Sequence, residues 1–183
     1  SLAKGTPYDP IADLTPIALI ALVPNILVAG PGMKGDTLPQ IIAFAKANPD
    51  QIYYASSGAG TVNHLLGELL QARTGIKMIH TPYKGNQDPV SDLMAGRVQL
   101  MFTGLPPIQG LIKSGKLRAI AVGGKTRLPS LPDTPTMAEA GIRDLEAVST
   151  CSLVGPTGMP REAVDRINAA AVKALALPDV SDR

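Results

Sequence analysis

The sequence predicts an α/β protein built on a mostly parallel, doubly wound sheet. Short apolar segments alternate with segments of helical periodicity, and this order is typical of βαβ units. The strand-like segments are apolar almost throughout, as expected where helices cover both faces of a sheet. With 183 residues, the chain is long enough to bury a substantial core.

The predicted elements follow in regular order as far as residue 122. Residues 16–29 predict two strands joined by a bend at Pro24, because proline cannot donate a backbone hydrogen bond. Asp36 or Thr37 then caps a helix over 38–47, with a proline in its first turn. The other predicted elements are strands at 51–55, 77–80, 98–102 and 117–122, and helices at 62–73, 88–95 and 105–113.

The pattern changes after Gly123. Three prolines between residues 126 and 135 predict a connecting segment. Beyond it we expect a helical turn at 136–140 and a strand at 147–154. Residues 160–177 predict an amphipathic helix whose apolar side chains lack a partner sheet. We expect these side chains to be exposed or to pack against another chain; they are Val164, Ile167, Ala171 and Leu175.

Composition and charge exclude several classes of protein. Charged residues are 17% and hydrophobic residues 45%, which argues against intrinsic disorder. The net charge is only +2 and aromatic residues are 3%, so no nucleic-acid partner is expected. The single cysteine, Cys151, excludes an internal disulfide, and its apolar surroundings predict a buried, unreactive side chain.

Residues 56–61, Ser-Ser-Gly-Ala-Gly-Thr, separate a predicted strand from a predicted helix. The two glycines allow a tight turn and a close approach to a ligand. The first N–H groups of a helix have no intrahelical partner, and the helix dipole adds positive potential there. Hydroxyl groups of Ser56, Ser57 and Thr61 lie beside those amides. The segment therefore predicts a carboxylate or phosphate site, although a plain loop that caps the helix fits equally well.

A second run, His-Thr-Pro-Tyr-Lys-Gly-Asn at 80–86, follows another predicted strand. Open α/β sheets place their ligand loops at this end of the strands. Lys84 is suited to attract an anion and Tyr83 to cover it. A solvated lysine in a turn is the simpler interpretation of Lys84.

His64 and Glu68 have the four-residue spacing of half a metal site on a helix. His80 is the only other histidine, and no further ligand has suitable spacing. We therefore predict a capping or surface role for the pair and no bound zinc. The sequence also lacks the Gly-x-Ser-x-Gly motif of serine hydrolases, and no cofactor is expected.

Distinctive short motifs follow one another along nearly the whole chain. They are Tyr-Asp-Pro at 8–10, Tyr-Ala-Ser-Ser-Gly at 54–58, His-Thr-Pro-Tyr-Lys-Gly at 80–85, Gly-Arg-Val at 96–98 and Leu-Pro-Asp-Thr-Pro-Thr at 131–136. In these motifs the chain resembles the substrate-binding proteins of tripartite tricarboxylate transporters, the Bug-type extracytoplasmic solute receptors.

This resemblance implies a two-lobed periplasmic-binding-protein type II-like fold with the ligand between the lobes. On that pattern residues 1–22 form part of lobe one and the hinge, 23–122 form lobe two, and 123–183 return to lobe one. The family normally has further segments on both sides, so we expect a fragment in which lobe two is complete and lobe one partial. The implied ligand-binding residues are Ser56, Ser57, Gly58, Ala59, Gly60, Thr61, His64, Tyr83, Lys84, Gly85 and Thr103, the last standing where many relatives carry aspartate.

The implied function is the periplasmic capture of a small carboxylate, such as a di- or tricarboxylate, an aromatic acid or an amino acid. The partners would be that ligand and the membrane components of the transporter, and the mechanism would be hinge closure. Two alternatives remain: an enzyme on the same type of fold, or the ligand-sensing domain of a regulator. An enzyme requires a convergent set of acid, base or nucleophile, which the sequence does not reveal.

Overall fold

A computed structural model of the protein describes residues 7–84 and 88–181. Along the chain its elements are β1 (Leu14–Pro24), β2 (Ile26–Ala29), α1 (Leu38–Ala47), β3 (Tyr53–Ser56), α2 (Val62–Thr74), β4 (Ile79–Pro82), α3 (Pro89–Met94), β5 (Leu100–Thr103), α4 (Gln109–Lys113), β6 (Arg118–Val122), β7 (Val148–Pro156), α5 (Arg161–Leu175) and α6 (Pro178–Ser181). The chain divides into a larger unit, Pro24–Val148, and a smaller unit formed by the chain up to Val23 together with the chain from Ser149.

The larger unit contains a five-stranded sheet in the order β4-β3-β5-β2-β6. Strand β3 pairs in parallel with β4 and β5, whereas β2 is antiparallel to both β5 and β6. Four strands therefore share one direction, and the predicted mostly parallel α/β sheet is confirmed. The exception is β2, which follows β1 through the predicted bend with no crossover helix between them.

Two apolar clusters cover the two faces of this sheet. Alternate residues of β2 supply both, because successive side chains of a strand point to opposite faces. Leu27 packs in the cluster that includes α1 and α2, and Ile26 in the cluster that includes α3. All four residues of β2 are buried, as expected for a strand at the centre of a covered sheet.

Helix α1 begins and ends where the sequence predicts. Its N-cap is Thr37, and the side-chain carbonyl of Gln40 accepts hydrogen bonds from the amides of Asp36 and Thr37. Helix α2 ends at Gly75, whose φ of 71° is the left-handed conformation that glycine adopts without strain.

Strand β4 lies two residues later than the predicted strand at 77–80. The residues before it are bound differently: the carbonyl of Lys77 accepts a bond from the amide of Asp50, and the amide of Met78 donates to the side chain of Gln71. The ladder starts only at Ile79. His80 therefore lies inside the strand, in register with Tyr54 of β3.

Residues 123–148 stay with the larger unit, whereas the sequence places a return to lobe one at Gly123. The amide of Gly123 donates to Asn25, and its carbonyl accepts from Ala147 at 2.8 Å. Val122 pairs with Thr136 in an isolated parallel bridge. These backbone bonds attach the proline-rich connection to the sheet, so the boundary between the units falls after Val148.

The smaller unit consists of a two-stranded sheet of β1 and β7 with helices α5 and α6. Ile17 is its one buried apolar residue among those described, and α5 contributes none. Ile167 of the predicted apolar face is 38% exposed, whereas Val164, Ala171 and Leu175 are half-buried, so the expected exposure is confirmed only in part. The expectation that Cys151 is buried is wrong: it is exposed on β7, because a two-stranded sheet leaves much of its surface open.

Candidate functional site

The segment 56–61 connects the end of β3 to the start of α2, as the sequence predicts. Ser56 is the last residue of β3 and is only 1% exposed, whereas Ser57 is exposed. Thr61 is the N-cap residue of α2. We call residues 56–61 the Ser-Gly loop.

Both glycines of the Ser-Gly loop adopt a conformation that other residues avoid. The φ angle is 131° at Gly58 and 83° at Gly60. A side chain at either position would strain the backbone. The loop therefore depends on glycine for its shape.

Many polar groups of the loop bind one another. The amide of Gly58 donates to the hydroxyl oxygen of Ser56 at 3.1 Å, and that hydroxyl donates to the carbonyl of Gly58. The amide of Gly60 donates to Nδ1 of His64, and the amide of Thr61 to the carbonyl of Gly58. The loop is therefore a preorganised turn in which three of the backbone donors expected to face a ligand are already used.

Some donors remain open toward solvent. Within the described residues, no hydrogen-bond partner is found for the amides of Ser57 and Ala59 or for the hydroxyl of Ser57. The hydroxyl of Thr61 donates to the carbonyl of Gly58 at 2.8 Å and does not cap α2. The first amides of α2 thus lack a side-chain cap and carry the positive end of the helix dipole.

The other predicted residues gather at the same edge of the sheet. Tyr83 follows β4, and its amide donates to the carbonyl of Ser56 at 2.9 Å. Thr103 ends β5 and is half-buried, two residues beyond Met101, which pairs with Ala55 of β3. Lys84 is exposed beside Tyr83. Gly85, the remaining predicted residue, lies outside the described residues.

Three aromatic rings, those of Tyr54, His80 and His64, lie in contact beside the Ser-Gly loop. The ring of His80 stacks on Tyr54, with centroids 5.0 Å apart, and the ring of His64 lies against His80 at 4.0 Å. Nε2 of His80 is 2.6 Å from the hydroxyl oxygen of Ser56. Burial lowers the pKa of His80, and the neighbouring His64 lowers it further, against the opposite influence of Glu68.

Glu68 of α2 contacts two of these three side chains, Tyr54 and His64. Its Oε1 accepts a hydrogen bond from the hydroxyl of Tyr54 at 2.5 Å and one from the side chain of Gln71 at 2.9 Å. Burial, followed by the bond to Glu68, raises the pKa of Tyr54. Nε2 of His64 lies 3.9 Å from the same carboxylate oxygen. His64 and Glu68 therefore act as parts of a hydrogen-bonded and stacked support.

The side chain of Tyr83 is held by a hydrogen-bonded group formed by Asp92 and Arg97. Its hydroxyl donates to Oδ2 of Asp92 at 2.7 Å, and Arg97 binds the other carboxylate oxygen at 2.6 Å. Burial and the bond to Asp92 raise the pKa of Tyr83 to about 12. The bonds from Tyr83 and Arg97 lower the pKa of Asp92. The phenol ring is thus fixed at the edge of the site by its hydroxyl.

The polar side chains of this arrangement hold one another and the Ser-Gly loop in place. The described residues contain no group of three or more His, Cys, Asp or Glu side chains placed to hold a metal ion. The Ser56 hydroxyl touches His80, but it is buried and donates to the carbonyl of Gly58. A serine nucleophile needs an exposed oxygen and a base oriented by a third group.

Tyr54 and Asp92 are parts of the site that sequence reasoning did not single out. A buried tyrosine usually needs a partner for its hydroxyl, and Glu68 could have been sought on that ground. The register that brings Tyr54 beside His80 is set by strand pairing, which the sequence pattern does not reveal.

Comparison with known proteins identifies the family. The family model described as "Tripartite tricarboxylate transporter family receptor" matches residues 2–183. The chain belongs to this family. It spans about half the length of the curated relatives that it matches, 52% of each of the first two.

Solved structures of family members share the fold. A protein of R. palustris solved with adipate is 33% identical, with a TM-score of 0.88, over 98% of this chain and 60% of that one. The periplasmic binding protein BugD is 32% identical, with a TM-score of 0.88, over 100% of this chain and 61% of that one. MatC of Rhodopseudomonas palustris, solved with malate, is 27% identical, with a TM-score of 0.86, over 98% of this chain and 61% of that one. The predicted periplasmic-binding-protein type II-like fold is confirmed.

In the part of the chain that the structure describes, no helix combines the length and apolar character needed to cross a bilayer.

Proposed function

We propose that the protein is a periplasmic solute receptor that captures a small carboxylate for the membrane components of a tripartite tricarboxylate transporter. The observation that carries this proposal is the Ser-Gly loop, a turn of fixed shape that presents open amides at the uncapped start of α2. An anion is favoured there without an arginine. Family members solved with adipate and malate support a dicarboxylate as the first ligand to test.

The donors we assign to one carboxylate group are the amides of Ser57 and Ala59, the hydroxyl of Ser57 and the first amides of α2. The amides of Gly58, Gly60 and Thr61 shape the turn. The rest of the proposed site consists of Ser56, His64, Tyr83, Lys84, Gly85 and Thr103, of which Tyr83 and Thr103 form the rim at the strand ends.

We further propose that the receptor performs no catalysis on its ligand and requires neither a cofactor nor a metal. Relatives named as binding proteins support this view, as does the buried position of Ser56. Incubation of the full-length protein with adipate should leave the adipate chemically unchanged, as followed by NMR of the small molecule.

Thermal-shift measurements on the full-length protein test the ligand class. The panel would contain adipate, malate, citrate, benzoate and glutamate. A bound ligand raises the melting temperature, because it stabilises only the folded state. If none of these carboxylates produced a shift at millimolar concentration, the proposed ligand class would be wrong.

A matched pair of glycine variants tests the location of the site. Gly60→Val and Gly75→Val both place a β-branched residue at a positive φ, 83° and 71°, at opposite ends of α2. Both variants should lose stability, but only Gly60→Val should lose the response to the carboxylate that stabilises the wild type. Equal binding by the two variants in calorimetry would remove the Ser-Gly loop from the site.

A further inference from the structure

Two histidines contact the Ser-Gly loop, His80 at Ser56 and His64 at Gly60. Nδ1 of His64 accepts the amide hydrogen of Gly60 at an N···N distance of 3.1 Å. Nε2 of His80 contacts the hydroxyl oxygen of Ser56 at 2.6 Å. The two rings lie against each other with centroids 4.0 Å apart and planes inclined by 31°. The loop and the ring pair therefore form one connected unit.

The contact between His64 and Gly60 requires a particular protonation state. A backbone amide only donates, so Nδ1 of His64 must present its lone pair. An imidazolium carries a hydrogen on both nitrogens, and two donors would then face each other at Gly60. Protonation of His64 is therefore incompatible with the observed shape of the loop.

The contact between His80 and Ser56 tolerates a proton. A protonated Nε2 of His80 donates to the hydroxyl oxygen of Ser56, whose own hydrogen is directed to the carbonyl of Gly58 at 3.1 Å. The two histidines are thus not equivalent. Only His64 couples its proton directly to the backbone of the loop.

Among the described residues, Glu68 and Tyr54 are the titratable groups that face the ring pair. Glu68 comes from the same helix as His64, with Oε1 at 3.9 Å from Nε2, and it is shared with the hydroxyl of Tyr54 from β3. The ring of Tyr54 stacks on His80. Burial lowers the pKa of His80, and the neighbouring His64 lowers it further.

We propose that His64 is a positioning residue for carboxylate binding, and that a proton on its Nδ1 releases the Ser-Gly loop and weakens the binding. His80 is the second support of the same unit, and it holds Ser56 in either protonation state. This inference rests on the proposed function, because it concerns the loop to which the carboxylate is assigned.

Two variants of His64 separate its hydrogen bond from its charge. The amide side chain introduced by His64→Gln would offer a carbonyl oxygen to Gly60 and does not titrate, whereas His64→Leu removes the acceptor. Calorimetry with adipate on the full-length protein would compare them between about pH 6 and about pH 8, where carboxylates are ionised. The wild type should bind more weakly at the acid end, by at most about tenfold, which is the free energy of one hydrogen bond. The His64→Gln variant should bind adipate with the same affinity at both pH values. The His64→Leu variant should bind it weakly at every pH in this range.

A measurement without ligand decides the inference independently of the proposed function. In nitrogen-15 spectra of the ligand-free protein, the amide signal of Gly60 should shift together with the imidazole signals of His64 as the pH is lowered. In His64→Gln the chemical shift of the Gly60 amide should not change with pH. A failure of adipate to bind would count against the proposed ligand, while these spectra would still test the coupling.

Three results would overturn the inference. The first is a Gly60 amide that does not follow the titration of His64. The second is wild-type affinity that rises in acid, because attraction between an imidazolium and the carboxylate would then outweigh the loss of loop shape. The third is a His64→Leu variant that binds adipate as the wild type does.

Discussion

The larger and smaller units are built from similar apolar residues but bury them to very different extents. Leu100 in β5 of the larger unit is 1% exposed, whereas Leu22 in β1 of the smaller unit is 59% exposed. The larger unit has five paired strands with a cluster of apolar side chains on each face. The smaller unit has two paired strands, and its long helix α5 buries no residue completely.

This difference teaches that apolar content alone does not make a core. A strand buries its side chains only when neighbouring strands extend the sheet and helices cover it, and two strands are too few for this. The proposed carboxylate site follows the same division. Every candidate ligand-binding residue that the structure describes lies in the larger unit, where the sheet fixes the ends of β3, β4 and β5.

A matched pair of leucine substitutions tests the comparison most strongly. Leu100→Ala should lower the free energy of unfolding by about 2–5 kcal/mol, because it leaves a cavity in a covered sheet. Leu22→Ala should cost under about 0.5 kcal/mol in this chain, because its side chain already contacts water. Urea unfolding of the 183-residue chain, followed by circular dichroism, measures both. An equal loss of unfolding free energy in the two variants would contradict the difference in burial between the two units.

Two glycine-to-alanine substitutions within helices of the larger unit test how tightly its core is packed. Gly67 of α2 lies against the ring of Tyr54, and an added methyl group would displace that ring. Gly110 of α4 has open space around it. Gly67→Ala should destabilise the protein by about 1–3 kcal/mol through overpacking. Gly110→Ala should stabilise it by up to about 1 kcal/mol through helix propensity.

The same urea titrations measure the two glycine variants. Because both substitutions add one methyl group to a helix, their difference reports only the local packing. If Gly67→Ala stabilised the protein as Gly110→Ala should, the Tyr54 ring would have room that the structure does not show.

The smallest expected effect is a dependence of stability on pH. Both histidines lie in the larger unit, and the pKa of His80 is held below its usual value of 6.5 by burial. The unfolded state therefore binds a proton at a higher pH than the folded state does. Stability should be fully present above pH 6.5 and should decrease as the pH falls from 6.5 toward the folded-state pKa.

Urea midpoints measured between about pH 7.5 and about pH 5.5 would show this decrease, a range that lies above the titration of ordinary carboxylates. His80→Gln should reduce the slope, because it removes the group whose pKa differs between the two states. An unchanged slope in His80→Gln would assign the pH dependence to another group.

The fold class and most of the elements follow from local patterns in the sequence. Apolar periodicity placed α1 over its observed residues, and two glycines beside three hydroxyl residues marked the Ser-Gly loop. These features are local: capping, turn chemistry and helical spacing depend on a few neighbouring residues. The family could be recognised from the same short motifs, and the comparison confirmed it.

Contacts between residues far apart in the chain follow from the three-dimensional fold. The register of β3 with β4 places His80 beside Tyr54, and the fold of α2 onto β3 then brings Glu68 to the hydroxyl of Tyr54. The backbone bonds of Gly123 retain residues 123–148 in the larger unit. None of this follows from local propensity, because strand register, the partner of a buried hydroxyl group and the covering of a sheet are fixed by residues far apart in the chain.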